Sequence, residues 1–106
     1  MKAAMFHGPH QDLTIEDVDI DKPMAREVLV RTAASGVCHS DLHFVDGKWP
    51  FPPPAVLGHE AAGIVEEVGE HVTYVQPGDH VIACLSVFCG HCDNCLTGHP
   101  NRCVNP

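Results

Sequence analysis

Basic side chains are scarce in this chain of 106 residues. Six Lys and Arg stand against fourteen Asp and Glu, which gives a formal net charge of -8 at pH 7. Because the phosphates of nucleic acids are bound through accumulated Lys and Arg, this balance argues against a nucleic-acid partner. With 44% hydrophobic and 19% charged residues, the sequence instead predicts one globular domain and leaves no room for a second complete one.

Long apolar runs are also missing. The N-terminal segment MKAAMFHGPH contains one lysine but no stretch that resembles a signal peptide. No later segment approaches the roughly 20 apolar residues that a membrane-spanning helix needs. We therefore expect a cytoplasmic protein with no membrane partner. In that reducing compartment, clustered cysteines are more often metal ligands than disulfides.

Helical periodicity is rare, and short strands are predicted between the nine glycines and nine prolines. A single short helix is predicted from Ser40 to Asp46, with Ser40 as its N-cap and Gly47 at its end. The sequence therefore predicts a mainly β fold with little helix. β-Branched and apolar residues place the strands at 2–6, 13–20, 27–34, 61–68 and 80–85.

The strongest motif is a run of four cysteines, C-x2-C-x2-C-x7-C, near the end of the chain. Two-residue spacers let consecutive thiols turn inward, and four sulfurs at about 2.3 Å close a tetrahedron around a structural zinc ion. The alternative, two disulfides in a secreted mini-domain, is less favoured because nothing indicates secretion. Cys84 lies outside this cluster in the apolar run VIACL and is predicted to be a buried hydrophobe. The four predicted ligands are Cys89, Cys92, Cys95 and Cys103.

A second, sparser group combines Cys38 with His59. A thiolate and an imidazole both suit zinc, but a catalytic site needs three protein ligands and one open position. No third ligand is obvious from the residues, so the spacing alone leaves open whether these two bind a metal or are ordinary side chains.

Four segments in order, GVCHSDLH, GHEAAGIVEEVGEHV, PGDHV and CGHCDNC, together resemble one family of enzymes. They look like the N-terminal part of the catalytic, GroES-like domain of zinc-dependent medium-chain alcohol dehydrogenases. The resemblance spans nearly the whole chain. It implies a partly open β-barrel formed by residues 1–106, with residues 83–106 as the structural zinc lobe.

The resemblance also implies a catalytic zinc ion. Cys38 and His59 match two of its ligands, and the third is expected outside this chain. Glu60 resembles the acidic neighbour that can exchange into the metal's shell. Asp41 resembles the carboxylate that holds the far nitrogen of His59 and so fixes which nitrogen meets the metal.

The proton and cofactor roles follow from the same resemblance. Ser40 matches the hydroxyl that accepts the proton of the substrate alcohol, and His43 matches the outer end of the relay through the cofactor ribose. His39 lies where a basic residue often meets the cofactor pyrophosphate, and Trp49 where a substrate-pocket aromatic is common. Without the resemblance, Ser40 and Asp41 would be read as helix-capping groups, and Trp49 as packing against the proline run.

No G-x-G-x-x-G motif follows a strand in this sequence. The Rossmann domain that binds NAD or NADP is therefore expected to be absent, and the chain by itself is expected to be inactive. The implied enzyme is a homo-oligomer that oxidises a primary or secondary alcohol to an aldehyde or ketone by hydride transfer. The alternative function is a stand-alone, zinc-stapled β module with a structural or binding role and no catalysis.

Overall fold

A computed structural model describes residues 1–105 of the chain. Helix accounts for only 13% of it, which confirms the prediction of a mainly β fold. In chain order the elements are β1 (Lys2–Phe6), β2 (Thr14–Asp17), β3 (Val28–Ser35), α1 (His39–Val45), β4 (Ala55–Val56), β5 (Ala61–Val68), β6 (His80–Ile82), α2 (Asp93–Leu96) and a 3-10 turn (Pro100–Arg102).

The strands form two antiparallel, three-stranded sheets. One has the order β2-β1-β4 and the other β3-β5-β6. The long pair β3–β5 contains two register shifts, after Leu29 and after Thr32, and such irregularities bend and twist a sheet. Among the described hydrophobic residues, only Phe6 on β1 and Val65 on β5 are fully buried, so each sheet has one fully buried hydrophobic side chain.

Two predicted strands, β1 and β5, have the predicted bounds, whereas β2 and β6 are shorter than predicted. The last residue of β2, Asp17, pairs with Lys2 at the start of β1, and Val18 still exchanges two backbone hydrogen bonds of 2.7 Å with Met1. In β6 the pairing ends at Ile82, opposite Ala62. Strand length is set here by the available partner rather than by apolar content.

Cys84 was predicted to be buried, and this is wrong: its side chain is exposed. It follows the end of β6, where no further strand of residues 1–105 covers the sheet. It lines an open, largely apolar cavity of about 580 Å³ together with Tyr74 and Phe88. The apolar residues around Cys84 in the sequence are therefore not sufficient to bury its side chain.

Gly69 is buried where β5 leads into the next turn, and its amide donates a hydrogen bond to the carbonyl oxygen of Glu27 at 2.8 Å. A Cβ at this position would overlap the carbonyl oxygen of Met24 and lie 2.5 Å from the carbonyl carbon of Ala25. Both obstacles are backbone atoms, which cannot rotate away. The space for this turn exists only because residue 69 has no side chain.

We expect Gly69→Ala to lower the free energy of unfolding by about 1–3 kcal/mol, the usual cost of overpacking. Urea denaturation of the zinc-loaded chain measures it. The matched control is Glu70→Ala, whose exposed side chain leads us to expect a change within about 0.5 kcal/mol. Equal midpoints for the two variants would contradict the packing argument.

No helix within residues 1–105 is both long enough and apolar enough to span a lipid bilayer.

Candidate zinc centres

The four clustered cysteines lie around a common point. One sulfur from each of Cys89, Cys92, Cys95 and Cys103 lies within 4.8 Å of the others. The Cys92 and Cys95 sulfurs are 3.4 Å apart, and those of Cys89 and Cys95 are 4.0 Å apart. A tetrahedron with bonds of about 2.3 Å has sulfur–sulfur edges of roughly 3.8 Å. The donor set therefore fits a zinc ion.

Disulfides do not describe this cluster. The cysteines are all free, and a disulfide would hold its sulfurs about 2.05 Å apart. The separations are instead those of four ligands that share one ion.

Local backbone geometry turns the thiols inward. Gly90 has φ 77° and Gly98 has φ 82°, which are left-handed values that glycine adopts without a steric penalty. Backbone amides then point at the sulfurs: Cys89 N–H donates to the Cys103 sulfur at 3.3 Å, and Cys92 N–H donates to the Cys89 sulfur at 3.4 Å. These dipoles favour thiolate over thiol, which is the form that binds metal.

The four thiols do not share the same proton affinity. Hydrogen bonds from the backbone N–H groups of Val104 and Cys95 lower the pKa of Cys92 to about 6. The backbone amide of His91 is the main cause that lowers the pKa of Cys89. Desolvation and the neighbouring Cys92 sulfur raise the pKa of Cys95 to about 12. Without metal at pH 7, Cys95 therefore keeps its proton while Cys92 is largely ionised.

In the metal-free chain we expect iodoacetamide to modify Cys92 before Cys95, because the thiolate is the nucleophile. The Cys92 rate should rise with pH around its pKa of about 6, and Cys95 should stay slow up to its pKa of about 12. Mass spectrometry of quenched samples gives the rates, with exposed Cys84 as an internal reference. Equal rates at all clustered thiols would contradict the assignment, and zinc should protect all four.

The second group contains three donors rather than two. Cys38, His59 and Glu60 each place a ligand atom within 4.8 Å of the others. Strand pairing brings them together: Ser35 at the end of β3 pairs with Ala61 at the start of β5. Cys38 follows β3 and His59 precedes β5, so the antiparallel register of these strands places the two segments side by side. We call Cys38, His59 and Glu60 the Cys38 cradle.

Helix α1 fixes the position of Cys38. Its N-cap is Cys38, with extended φ -92° and ψ 155°, so the prediction of Ser40 as N-cap is wrong. The Asp41 carboxylate makes the capping hydrogen bond by accepting the Cys38 N–H at 2.9 Å. The N-cap therefore lies two residues earlier than predicted. The helix ends as predicted before Gly47, whose φ is 68°.

Asp41 contacts both halves of the cradle. One carboxylate oxygen accepts the Cys38 amide, and the other lies 3.5 Å from His59 Nδ1. Their side chains are only 14% and 23% exposed, so this contact is shielded from water. With Nδ1 facing Asp41, Nε2 of His59 faces Glu60, whose Oε1 is 3.8 Å away. The ring is thus oriented with Nε2 toward the cradle.

The pKa of the Cys38 thiol is lowered from its ordinary value. The hydroxyl of Ser40, then its backbone amide and His59, lower the pKa of Cys38, while the Glu60 carboxylate opposes them. A low thiol pKa favours metal binding because less free energy is needed to remove the proton. The Ser40 hydroxyl is thereby placed beside the Cys38 sulfur.

An aromatic cluster adjoins the cradle along α1. The ring of His43 makes edge contacts with His39 at 5.0 Å and with Trp49 at 4.8 Å between centroids. Phe44 packs against Trp49 at 5.5 Å and against Phe51 at 5.6 Å. The sequence analysis did not identify Phe44 and Phe51 as neighbours of this site. The pattern that could have indicated them is the spacing of aromatic residues around the proline run.

His43 carries an unusual atom. Its Nδ1 is buried and has no hydrogen-bond partner. Among the buried side-chain nitrogen and oxygen atoms of residues 1–105, it is the only one in this condition. Burying such an atom unpaired is costly, so an unpaired case calls for an explanation. A partner from outside the protein, such as a cofactor hydroxyl, would satisfy it.

The comparisons with known proteins fit this geometry. A family profile described as the alcohol dehydrogenase GroES-like domain matches residues 24–106. The chain belongs to this family. Over 106 residues it is 51% identical to the alcohol dehydrogenase of Moraxella sp. strain TAE123, with 97% of this chain covered but only 31% of that protein.

Solved structures show the same likeness. An alcohol dehydrogenase zinc-binding domain protein from Burkholderia ambifaria aligns with TM-score 0.91 at 45% identity, over 97% of this chain and 28% of the other. Benzyl alcohol dehydrogenase from Acinetobacter calcoaceticus gives TM-score 0.90 at 44% identity, with the same coverage. The GroES-like fold expected from the resemblance is confirmed. The chain spans about three tenths of the length of these relatives.

Proposed function

We propose that this chain is the zinc-bearing portion of the catalytic domain of an alcohol dehydrogenase, which oxidises a primary or secondary alcohol with NAD or NADP. The observation that carries the proposal is the Cys38 cradle, where a thiol, an imidazole and a carboxylate converge. The family membership and the similarity to named alcohol dehydrogenases support it. Substrate, cofactor and a homo-oligomeric assembly belong to the proposal for the whole enzyme.

Two zinc ions are part of this proposal. Residues 1–106 form one domain in which residues 83–106 are the structural lobe, where the four sulfurs leave no open position for chemistry. The Cys38 cradle would hold the catalytic ion, since its donors are fewer and Glu60 is partly exposed. When bound, a catalytic zinc ion supplies Lewis acidity, which lowers the pKa of a bound water from 15.7 to about 7 and in the same way acidifies a bound alcohol. Six free cysteines suit a reducing compartment, and we infer a cytoplasmic location.

The residues beside the cradle handle the proton. Ser40 can accept the proton of the substrate hydroxyl, because a hydroxyl donates and accepts at once and need not hold charge. His43 can pass that proton on because an imidazole ring can accept a proton at one nitrogen and donate from the other, and its buried Nδ1 has no hydrogen-bond partner within the protein. When bound, NAD or NADP would supply the hydride acceptor, and Ser40 would take the proton of the substrate hydroxyl while passing its own toward His43, so that atoms and charge balance. Asp41 keeps His59 oriented throughout.

The remaining residues have supporting roles in the proposal. His39 is exposed on the first turn of α1 and would meet the cofactor pyrophosphate. Trp49 is 48% exposed and packs on His43, so its free face would line the substrate pocket. Trp49 also packs against Phe44 on α1, and this packing is compatible with a role in the pocket.

A chimera tests the proposal. Replacing the matching third of the Moraxella alcohol dehydrogenase by this chain should give an enzyme that reduces NAD in the presence of simple alcohols. The chain alone, with zinc and NAD, should show no turnover. A folded, zinc-loaded chimera without activity would favour the stand-alone structural module, and turnover by residues 1–106 alone would also contradict our assignment.

A further inference from the structure

We propose that Gly36 is a positioning residue for Glu60: the hydrogen in place of a side chain at residue 36 opens the space in which the Glu60 carboxylate lies beside Cys38 and His59. The inference rests on the proposed metal role of the Cys38 cradle and adds a residue to it. Gly36 itself donates no ligand atom.

The space at Gly36 is filled by a single neighbour. A Cβ built on Gly36 would overlap Oε2 of Glu60 and lie 3.1 Å from both its Cβ and its Cδ. Real Cβ atoms essentially never approach another heavy atom within 3.0 Å. The nearest three atoms all belong to Glu60, so its carboxylate occupies the volume that a side chain at residue 36 would take.

Backbone conformation does not explain this glycine. Gly36 is absent from the glycines with positive φ, which are Gly8, Gly47, Gly58, Gly78, Gly90 and Gly98. An alanine could therefore adopt the backbone of residue 36. Gly69 differs, because backbone carbonyl groups oppose its Cβ. At Gly36 the overlapping atom is the end of a flexible side chain, which can move at little cost, and the Glu60 Cβ at 3.1 Å needs a shift of only a few tenths of an ångström.

Glu60 is held at two points around this space. Its carbonyl oxygen accepts the Gly36 amide at 2.9 Å, and its Oε1 lies 3.8 Å from His59 Nε2. Its other carboxylate oxygen lies in the gap at Gly36. A methyl group there would expel the carboxylate, and because the Glu60 side chain is 48% exposed, the open route leads into water and away from Cys38.

The test measures cobalt binding to the cradle in the 106-residue chain whose four-cysteine lobe is already loaded with zinc. The thiolate-to-cobalt charge-transfer band reports binding at Cys38, and Cys38→Ala defines the background. We expect Gly36→Ala to weaken cobalt binding on the order of 10-fold or more, as for lost supporting groups of metal sites. Its melting temperature should be equal to or above that of the unsubstituted chain, since alanine suits this backbone.

A double-mutant cycle isolates the contact. Glu60→Ala should weaken cobalt binding to a similar extent, and adding Gly36→Ala to it should cause no further loss, because the two substitutions remove the same donor. The matched control is Gly69→Ala, which should lower the melting temperature but leave cobalt affinity unchanged. Unchanged cobalt affinity in Gly36→Ala, or additive losses in the double variant, would overturn the inference.

Failure of the proposed metal role gives a different pattern. In that case the unsubstituted chain and Cys38→Ala would show the same cobalt spectrum. The role of Gly36 is then decided by the carboxyl carbon resonance of Glu60, measured by NMR in metal-free protein. A shift between the unsubstituted chain and Gly36→Ala supports the positioning contact, and an unchanged resonance overturns it.

Discussion

Removing zinc from the four-cysteine lobe is expected to unfold residues 89–103 while the β3–β5 pair stays formed. The lobe contains only α2 and a 3-10 turn, and its described residues include no buried hydrophobic side chain. Four thiolates on one ion supply apparent binding energies on the order of 10 kcal/mol in small zinc domains, and that binding is coupled to folding. A zinc ion bound here would therefore be the main source of order in the lobe.

Hydrogen exchange before and after chelation measures the effect. Amide protection should be lost at Leu96, Thr97 and Cys103, whose amides donate to backbone carbonyl groups within the lobe. Amides of β5 should keep theirs, because their partners lie in β3 and β6. Unchanged protection in the lobe after complete zinc removal would refute the stapling role.

Single cysteine variants sharpen this result. Cys92→Ala should abolish tight zinc binding by the 106-residue chain, whereas Cys84→Ala, outside the cluster, should leave it intact. We expect one tight equivalent of zinc by elemental analysis, and Cys38→Ala should retain it. Retention of that equivalent by Cys92→Ala would place the tight site elsewhere.

In the Moraxella chimera, Ser40→Ala is expected to lower kcat by roughly 100- to 10,000-fold, the usual range for loss of a positioned proton acceptor. The substitution removes the one hydroxyl beside the Cys38 sulfur. Because the lost interaction forms only as the proton leaves, kcat should fall while KM changes little. Steady-state kinetics at several alcohol concentrations separate the two constants.

The matched control is Ser86→Ala, an exposed serine outside the described strands and helices. It should leave both kinetic constants unchanged. Zinc content must also stay the same in the two variants, since the Ser40 hydroxyl lowers the pKa of Cys38 and its loss could weaken metal binding. Full kcat in a zinc-loaded Ser40→Ala chimera would remove Ser40 from the proton path.

Much of the fold was accessible from sequence because it depends on local preferences. β1 and β5 have the predicted bounds, and nearly every residue of each is paired with a neighbouring strand. The bounds of β2 and β6 could not be predicted, since they depend on pairing with a neighbouring strand and not on apolar content. The start of α1 was misplaced because the Asp41 carboxylate, and not the Ser40 hydroxyl, caps the amide of Cys38.

The sequence by itself determined the four-cysteine lobe, since spacers of two residues and left-handed glycines decide locally which thiols turn inward. The meeting of Cys38 with His59 and Glu60 was decided only by tertiary structure. These residues are about twenty positions apart, and they converge because the β3–β5 register joins Ser35 to Ala61. The same register brings Glu60 against Gly36, a contact between distant segments that no local pattern of residues reports.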